Sequence, residues 1–538
     1  MTSIKGIITD PIQRKQFKGE IVVENGKIKE INELENVPEQ HILPPLVDSH
    51  IHIESSMLVP SEFARLAVQH GTVATVSDPH EIANVCGIEG VEYMIENGNK
   101  VPLKFYFGAP SCVPATPFET AGAVLDVKAV TKLLQRDEIH YLSEMMNWPG
   151  VLNDDPDVLA KIEAAHKLDK PVDGHAPGLK GKRAEKYASA GISTDHECFT
   201  KQEAVDKLKA GMLISIREGS AAKNYAALIE LLGEHPGKIM FCSDDKHPDD
   251  LIRGHINEIV ARTLKLGYNL FDTLYACSAL PVTHYNLHVG LLQPGDPADF
   301  IVVDSPDTMN VLETWIDGEP VYKNGSVLFP DVDSSVINRF EPYTLNPNDF
   351  KLISKNTEQQ IIVAEDGQLI TQRESATLPS KSEEILAVPD RDILKIAVVN
   401  RYEKQPPAVG FIKNFGLKNG AIASSVAHDS HNIVAVGSSD EAICEAVNLV
   451  MESRGGISAV HGNKKDVLAL PVGGIMSNDS GKIVAECYER LSKISREMGS
   501  TLKAPFMLIS FMALLVIPSL KMSDKGLFDG EDFVFVEQ

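Results

Sequence analysis

The sequence predicts an α/β protein: a TIM (β/α)8 barrel at residues 44–285, a small β-sandwich domain assembled from both flanks (1–43 and 286–345) and a C-terminal α+β domain (346–538). Three observations support this prediction. Short apolar runs alternate with helical stretches through the middle of the chain, hairpin patterns lie on both sides of that region, and the pattern changes after about residue 346. A chain of 538 residues is long enough for several domains.

The barrel prediction depends on eight short runs that are rich in β-branched and apolar residues, each followed by a helical stretch. Eight such units over roughly 240 residues match the size of a TIM barrel. The runs are LVDSHIH (46–52), TVATVSD (72–78), KFYFGAPSC (104–112), HYLSEMM (140–146), PVDGHAP (171–177), ISTDHEC (192–198), LISIREG (213–219) and IMFCSDD (239–245).

The flanking segments read as short strands joined by tight turns. Asn25-Gly26, Asp317-Gly318 and Asn324-Gly325 each stand between apolar runs, as in two-residue hairpins. Hairpins on both sides of an inserted region predict one small β domain made from both flanks. After residue 346, strand-like stretches at 393–402 and 431–437 and a helix-like stretch at 440–455 predict the separate α+β domain.

Composition limits the partners. A net charge of -24 argues against nucleic acid, whose binding depends on Lys and Arg, and favours a small-molecule substrate. The seven cysteines are scattered and form no CxxC pair, which predicts a reducing, cytoplasmic location without disulfides. The N-terminus lacks a secretory apolar segment, and the apolar run 506–517 is too short to span a membrane. We expect a homo-oligomer, a dimer or larger.

Polar side chains end the predicted barrel strands, and in a βα barrel these ends share one face. His50 and His52 point the same way if they lie on a strand, because side chains alternate. Four imidazoles and two carboxylates would hold two divalent cations, and this mixed donor set suits Mn, Fe or Zn. The structural alternative is that these are ordinary polar residues at loop edges. The candidate metal ligands are His50, His52, Glu144, His175, His196 and Asp244.

The run LPPLVDSHIHIESSMLVP resembles the first strand of the amidohydrolase superfamily, and its IESSM part is similar to the adenine deaminase branch. Further segments resemble the same branch, so the resemblance covers nearly the whole chain. Many amidohydrolases bridge their metals with a carboxylated Lys, but LSEMMNWPG offers Glu144 at that point. The further segments are SDPHEIANVCG, SCVPATP, GHAPGLKGK, IREGSAAKN, CSDDKHP, GLLQPGDPADFIVVD, SSVAHDSHNIVAVG and LPVGGIMS.

This resemblance implies hydrolytic deamination of adenine to hypoxanthine and ammonia in purine salvage. A hydroxide held between two metal ions would attack C6, and Asp244 would take its proton. Mn²⁺ or Fe²⁺ is the expected metal, and Zn²⁺ is the alternative. Glu81 is a candidate proton donor to N1, or a further metal ligand, with Asp78 and His80 as shuttle groups. Asp78 has the equal alternative of capping the next helix. The candidates for binding the substrate are Arg217, Glu218 and Ser111.

Other interpretations remain open at this point. Arg217 and Glu218 are equally able to pair with each other or with neighbours. Asp245 is expected to point away from Asp244 if the strand continues. The His428-Asp429-Ser430-His431 stretch suggests a second metal site or, with more support, a surface role or a lid over the barrel mouth. The rival activities are cyclic-amide hydrolysis of the dihydroorotase or hydantoinase kind, on the same metals, and a non-catalytic scaffold.

Overall fold

The computed structural model describes residues 1–537. Its first four strands form part of a small sheet. At the turn between the second and third strands, Asn25 and Gly26 have φ values of 53° and 78°. Two positive φ values are what a type I′ hairpin requires, so the turn follows directly from the Asn-Gly pair. The strands are β1 (Thr2–Asp10), β2 (Lys15–Glu24), β3 (Lys27–Glu33) and β4 (His41–Leu43).

Within residues 1–537, eight parallel strands follow and close into the predicted barrel. Backbone hydrogen bonds join the two sheet segments: Ser193 N donates to Val172 O at 2.9 Å, and Asp244 N donates to His50 O at 2.9 Å. Most positions are buried because the strands are covered on both faces, which explains the continuous apolar runs. The strands are β5 (Leu46–Ile51), β6 (Thr72–Ser77), β7 (Lys104–Ala109), β8 (Ile139–Met145), β9 (Val172–Gly174), β10 (Thr194–Asp195), β11 (Leu213–Arg217) and β12 (Ile239–Cys242).

Helices separate these strands and cover the barrel from outside. Several begin at side-chain caps, as at Asp126, Asp155 and Thr200, whose oxygens accept from backbone N–H groups of the first turn. The helices are α1 (Pro60–Ala67), α2 (His80–Cys86), α3 (Ile88–Gly98), α4 (Val127–Leu134), α5 (Trp148–Leu152), α6 (Pro156–His166), α7 (Gly181–Ser189), α8 (Lys201–Lys209), α9 (Tyr225–Leu228), α10 (Glu230–Glu234), α11 (Pro248–Leu251), α12 (Ile256–Lys265), α13 (Leu270–Ala276) and α14 (Ala279–His284).

The chain then returns to the small sheet. The strands β13 (Phe300–Val303), β14 (Val311–Ile316), β15 (Glu319–Lys323) and β16 (Ser326–Val327) complete an eight-stranded sheet in the order β16-β15-β14-β13-β4-β1-β2-β3. Asp317-Gly318 and Asn324-Gly325 form its other predicted hairpin turns, again with positive φ at both positions of each pair. Both flanks of the barrel therefore contribute to one sheet.

The remainder of the described chain contains a second eight-stranded sheet, in the order β19-β18-β23-β22-β25-β24-β26-β27, with helices against it. Two three-stranded sheets, β17-β21-β20 and β28-β29-β30, accompany it. The strands of all three sheets are β17 (Leu352–Ile353), β18 (Glu358–Val363), β19 (Gln372–Thr377), β20 (Ser380–Lys381), β21 (Glu384–Ile385), β22 (Ile393–Val399), β23 (Ala408–Lys413), β24 (Ala421–Ser424), β25 (Ile433–Gly437), β26 (Gly456–His461), β27 (Lys464–Ala469), β28 (Leu520–Ser523), β29 (Gly526–Asp529) and β30 (Val534–Phe535). The helices are α15 (Asp440–Glu452), α16 (Gly481–Glu497) and α17 (Pro505–Phe511).

The barrel and this C-terminal part pack as one body. A single cluster of buried apolar side chains runs through both and includes Phe63, Met145 and Phe506. Backbone hydrogen bonds also cross the boundary, since Ser477 N donates to Met57 O at 2.8 Å. Among the described residues, no helix combines the length and the apolarity that crossing a bilayer requires. The fold class predicted from the sequence is confirmed, while the domain boundaries stay a prediction.

Candidate metal centre

The carboxyl ends of the barrel strands bring the six predicted ligands into one buried cluster. They approach closely enough to share ions, because ligand atoms within groups such as Glu144, His175 and His196 lie within 4.8 Å of one another. Such convergence follows from the barrel, whose strand ends meet at one face. The residues lie at the ends of, or just after, five strands: His50 and His52 (β5), Glu144 (β8), His175 (β9), His196 (β10) and Asp244 (β12).

Glu144 occupies the middle of this cluster and faces it with both oxygens. Its Oε2 accepts a hydrogen bond from His175 Nδ1 at 2.7 Å and lies 3.1 Å from His196 Nε2. Its Oε1 lies 3.5 Å from His52 Nε2 and 3.5 Å from His80 Nδ1. One carboxylate thus stands between two separate groups of imidazoles.

The HxH pair lies beside Asp244. His50 Nε2 and His52 Nε2 are 3.3 Å apart, so both rings do point to the same side of β5. The Oδ1 atom of Asp244 lies 3.5 Å from His50 Nε2 and 3.1 Å from His52 Nε2. These three residues form a second group of potential metal ligands within the cluster.

Arg217 holds the carboxylate of Asp244 by a hydrogen bond. Its Nη1 donates to Asp244 Oδ2 at 2.7 Å and also pairs with Glu197, and its Nε donates to the Ala222 carbonyl at 2.8 Å. With these contacts the guanidinium is only 1% exposed, although part of it lines the cavity. The sequence left a pairing role open for Arg217, but it did not indicate Glu197 or Asp244 as the partners, because the pairing joins three different strand ends.

Two other predicted substrate contacts lie elsewhere. The structure places Glu218 outside the cluster, where its Oε2 accepts from Arg262 Nη1 at 2.6 Å on the far side of the loop. Ser111 is buried beside the strand end and its hydroxyl donates to the Glu144 carbonyl at 2.6 Å. Ser111 therefore holds the backbone of Glu144 in place, and its contact with a substrate is not supported by this position.

Asp245 lies in the same cavity as Asp244, contrary to the expectation that it would point away. Strand β12 ends at Cys242, and Asp244 has a positive φ of 55°, so the alternation of a strand does not continue to Asp245. Ser55 Oγ donates to Asp245 Oδ1 at 2.5 Å. Both neighbouring carboxylates thus line the site.

Asp78, His80 and Glu81 form a connected group at the start of α2. Asp78 Oδ1 accepts a local hydrogen bond from His80 N at 3.0 Å, although Asp78 is not the N-cap of α2, which is Pro79, and its Oδ2 lies 3.1 Å from His80 Nδ1. His80 Nε2 lies 3.4 Å from Glu81 Oε1. The imidazole of His80 is therefore held between two carboxylates, one at each ring nitrogen.

The C-terminal domain also reaches this cavity. His428 and Asp429 line it, and both His428 and His431 contact Glu81. His80 Nε2 lies 3.5 Å from Asp429 Oδ1. The sequence marked this His-Asp-Ser-His stretch as unusual, but no local signal indicated that it would meet Glu81.

The charges in the cluster favour the ionised forms of Glu144 and Asp244. Burial alone would raise the pKa of Glu144, but the imidazoles of His175 and His196 outweigh it and hold that pKa well below its usual range. Burial acts on Asp244 in the same way, and the Arg217 guanidinium, with His50 and His52, lowers the pKa of Asp244 far below normal. Despite burial, the carboxylate of Glu144 raises the pKa of His175 to about 9.

The donor set fits divalent cations. Among the residues that the structure describes, the buried ring atoms His175 Nε2 and His196 Nε2 form no hydrogen bond. Leaving a buried polar atom unpaired costs about 1–3 kcal/mol, a penalty that ligation of a cation removes. Imidazole nitrogens, which release any bound proton when they ligate, and carboxylate oxygens are also the donors that Mn, Fe and Zn accept. The donors of the described residues therefore suit divalent cations.

The cavity over the cluster is small. It measures about 30 Å³, which is room for one or two waters. Besides His428 and Asp429, the C-terminal domain contributes the apolar side chains of Leu369, Phe511 and Leu514 to the lining. A ligand larger than water enters only when part of this lining moves.

Comparison with known proteins gives matches along the whole chain. The amidohydrolase family model matches residues 41–321, and the adenine deaminase C-terminal domain matches residues 368–534. A relative from Salinibacter ruber named adenine deaminase is 55% identical over 100% of this chain and 98% of its own. Relatives of the same name from Methanosarcina barkeri and Sulfurovum sp. are each 54% identical and cover at least 99% of both chains. The similarity includes both the barrel and the domain that carries His428 and His431.

Proposed function

Because this chain belongs to the amidohydrolase family, and along its whole length to the adenine deaminases within it, we propose that the buried cluster is where it hydrolyses adenine to hypoxanthine and ammonia. The observation that carries the assignment of the site is Glu144. Its Oε2 lies beside the buried imidazoles of His175 and His196, and its Oε1 lies beside that of His52. A shared carboxylate between two donor groups is the arrangement of a two-metal site.

The proposal places two divalent cations at the cluster, with Glu144 shared between them. His50, His52 and Asp244 would hold one cation, and His175 and His196 the other. The nitrogen and oxygen donors suit Mn²⁺ or Fe²⁺, and Zn²⁺ accepts the same set. When bound, the cations would activate water for attack on C6 and stabilise the negative charge that develops.

Asp244 is the residue that we assign to proton transfer at the amino group. Arg217 holds its Oδ2 at 2.7 Å, so Oδ1 keeps a fixed direction toward the cluster. An anchored carboxylate accepts a proton from the attacking water and delivers it to the amino group, which must leave as ammonia. The low pKa of Asp244 favours rapid release of that proton.

His80 is the residue that we assign to proton donation at N1 of the purine. Burial alone would lower the pKa of His80, but Asp78 and Glu81, which face its two ring nitrogens, outweigh it and raise that pKa above normal, which favours the protonated ring. Glu81 itself stays ionised because His428 and His431 face it, which overcomes the effect of its burial on its pKa. Among the three candidates from the sequence, His80 therefore carries the proton and the two carboxylates hold it.

An assay with defined metal tests this proposal. Protein loaded with Mn²⁺ or Fe²⁺ is expected to form hypoxanthine and ammonia in equal amounts from adenine, and an Asp244→Asn variant should bind metal but turn over far more slowly. Adenosine, AMP and a cyclic amide such as hydantoin are run in parallel. Ring opening of the cyclic amide without ammonia from adenine would contradict the proposal and favour the rival activity.

The cellular setting is part of the same proposal. We place the enzyme in purine salvage in the cytoplasm, as a homo-oligomer with free adenine as its ligand and neither nucleic acid nor a membrane as partner. The net charge of -24 and the seven cysteines, all free in the described chain, support this setting. Light scattering of the purified protein measures the oligomeric state.

A further inference from the structure

The loop between β24 and β25 of the C-terminal domain enters the mouth of the barrel. His428 and Asp429 of this loop line the cavity, and His431 lies one layer behind them, 1% exposed. All three side chains are directed toward α2, more than three hundred residues earlier in the chain. The loop thus adds polar groups to a site that the barrel alone leaves open on this side.

The fold fixes which nitrogen of His431 carries the proton. The backbone N–H of Ala427 donates to His431 Nδ1 at 3.1 Å, so Nδ1 is an acceptor and holds no proton. The proton of the neutral ring is therefore on Nε2, which donates to Glu81 Oε2. Burial, together with nearby Arg401 and His428, lowers the pKa of His431 and keeps the ring neutral.

Glu81 is held at both oxygens. While His431 holds Oε2, the Nδ1 of His428 forms an ion pair with Oε1. The ring of His428 packs against Phe511, at 5.5 Å between ring centroids. These contacts favour the orientation of Glu81 in which Oε1 lies 3.4 Å from His80 Nε2.

We propose that His431 is a positioning residue of the deaminase site, which acts through Glu81 on the proton donor His80. The inference rests on the proposed function and deepens it, because it makes the C-terminal domain part of the proton-transfer machinery. Loss of the His431 hydrogen bond frees Glu81 to rotate, and His80 then loses the carboxylate that orients its Nε2 side. His431 does not line the cavity, so binding of the purine should not depend on it.

Two amide substitutions separate this role from a structural one. In His431→Gln the side-chain nitrogen lies close to the position of the imidazole Nε2, so it still reaches Glu81. In His431→Asn the amide is shorter and lies near the position of Nδ1, so it does not. Both variants are polar and similar in size, and His461→Asn, in β26 and away from the cavity, is the matched control.

The measurements are kcat and KM for adenine, bound metal, and hypoxanthine affinity by calorimetry. We expect His431→Asn to lower kcat at least about tenfold, because proton transfer supplies a factor of this size or more. KM, metal content and hypoxanthine affinity should stay within about threefold of the wild type. His431→Gln should recover most of kcat, and His461→Asn should match the wild type.

The same substitution in a Glu81→Gln background completes the test. If His431 acts through Glu81, adding His431→Asn to Glu81→Gln should cost little more than Glu81→Gln alone. The inference is overturned if His431→Asn retains the wild-type kcat, if the Gln and Asn variants are equally impaired, or if the two effects add in full. A wild-type protein that carries its metals but leaves adenine intact would instead refute the proposed function.

Discussion

Replacing Arg217 with Met separates two roles for a residue that the sequence assigned to substrate binding. In the structure the guanidinium pairs with both Asp244 and Glu197, and all three side chains are buried. Arg217→Met keeps the length of the side chain and removes its charge. Two neighbouring carboxylates are then left in the interior without their cation.

The magnitude follows from burial. Removing one partner of a buried ion pair costs about 3–5 kcal/mol, because the remaining charge is uncompensated. Arg262 offers a matched control: its Nη1 lies 2.6 Å from Glu218 Oε2, but its side chain is 46% exposed. Exposed pairs contribute about 0–1 kcal/mol, so Arg262→Met should have little effect.

Urea unfolding of the metal-free proteins, followed by circular dichroism, measures the difference between the two variants. In the metal-loaded enzyme, loss of the group that orients Asp244 should lower kcat about 10–100-fold. KM for adenine should change by less than about threefold, since Arg217 is expected to act through Asp244. Equal stability of the two variants, together with a raised KM and an unchanged kcat for Arg217→Met, would refute this reasoning.

Three further predictions concern single side chains. Glu144→Gln removes the shared negative charge. We therefore expect elemental analysis to find less than the full metal content, and adenine turnover to fall at least about a hundredfold. Full metal content and full activity would count against Glu144 as a shared ligand. The buried backbone N–H of His175 donates to the Tyr187 phenol oxygen at 3.0 Å, and Tyr187→Phe leaves it without this acceptor. The free energy of unfolding, measured in urea, should fall by about 1–3 kcal/mol. An unchanged value would show that another group replaces the phenol. Lys521 is buried with its Nζ on the carbonyls of Leu369 and Phe511, and burial lowers its pKa to about 7. Between this pKa and about 10.4, the unfolded chain binds one more proton at Lys521 than the folded protein does. The free energy of unfolding should therefore rise with pH through that window, by up to about 1.4 kcal/mol per pH unit. Lys521→Met should lack this rise, and a difference in unfolding free energy between the two proteins that does not change with pH would contradict the assignment.

Some features of the structure follow from local sequence alone. The Asn25-Gly26 turn is determined by residues that accept positive φ, and the orientation of His50 and His52 follows from alternation along one strand. Predicting that Glu144 lies in the site required one further step, because it depends on the convergence of the strand ends in a closed barrel. These predictions need only short-range geometry and the symmetry of the fold.

Other features depend on contacts that the sequence does not express locally. Glu197 matters because Arg217, from the next strand, turns toward it. The direction of Asp245 changes because the backbone at Asp244 adopts a positive φ. The contact of His431 with Glu81 spans 350 positions and depends on how two domains dock. No periodicity or spacing in the chain encodes these three relationships.

Stepwise addition of Mn²⁺ to the metal-free protein, with hypoxanthine formation from adenine recorded at each step, tests the central claim most directly. If two cations share Glu144, activity should rise as the second equivalent binds, level off at about two equivalents per chain, and be absent throughout the titration of Glu144→Gln. Full activity at one equivalent, or turnover of adenine by protein kept metal-free with a chelator, would contradict the account.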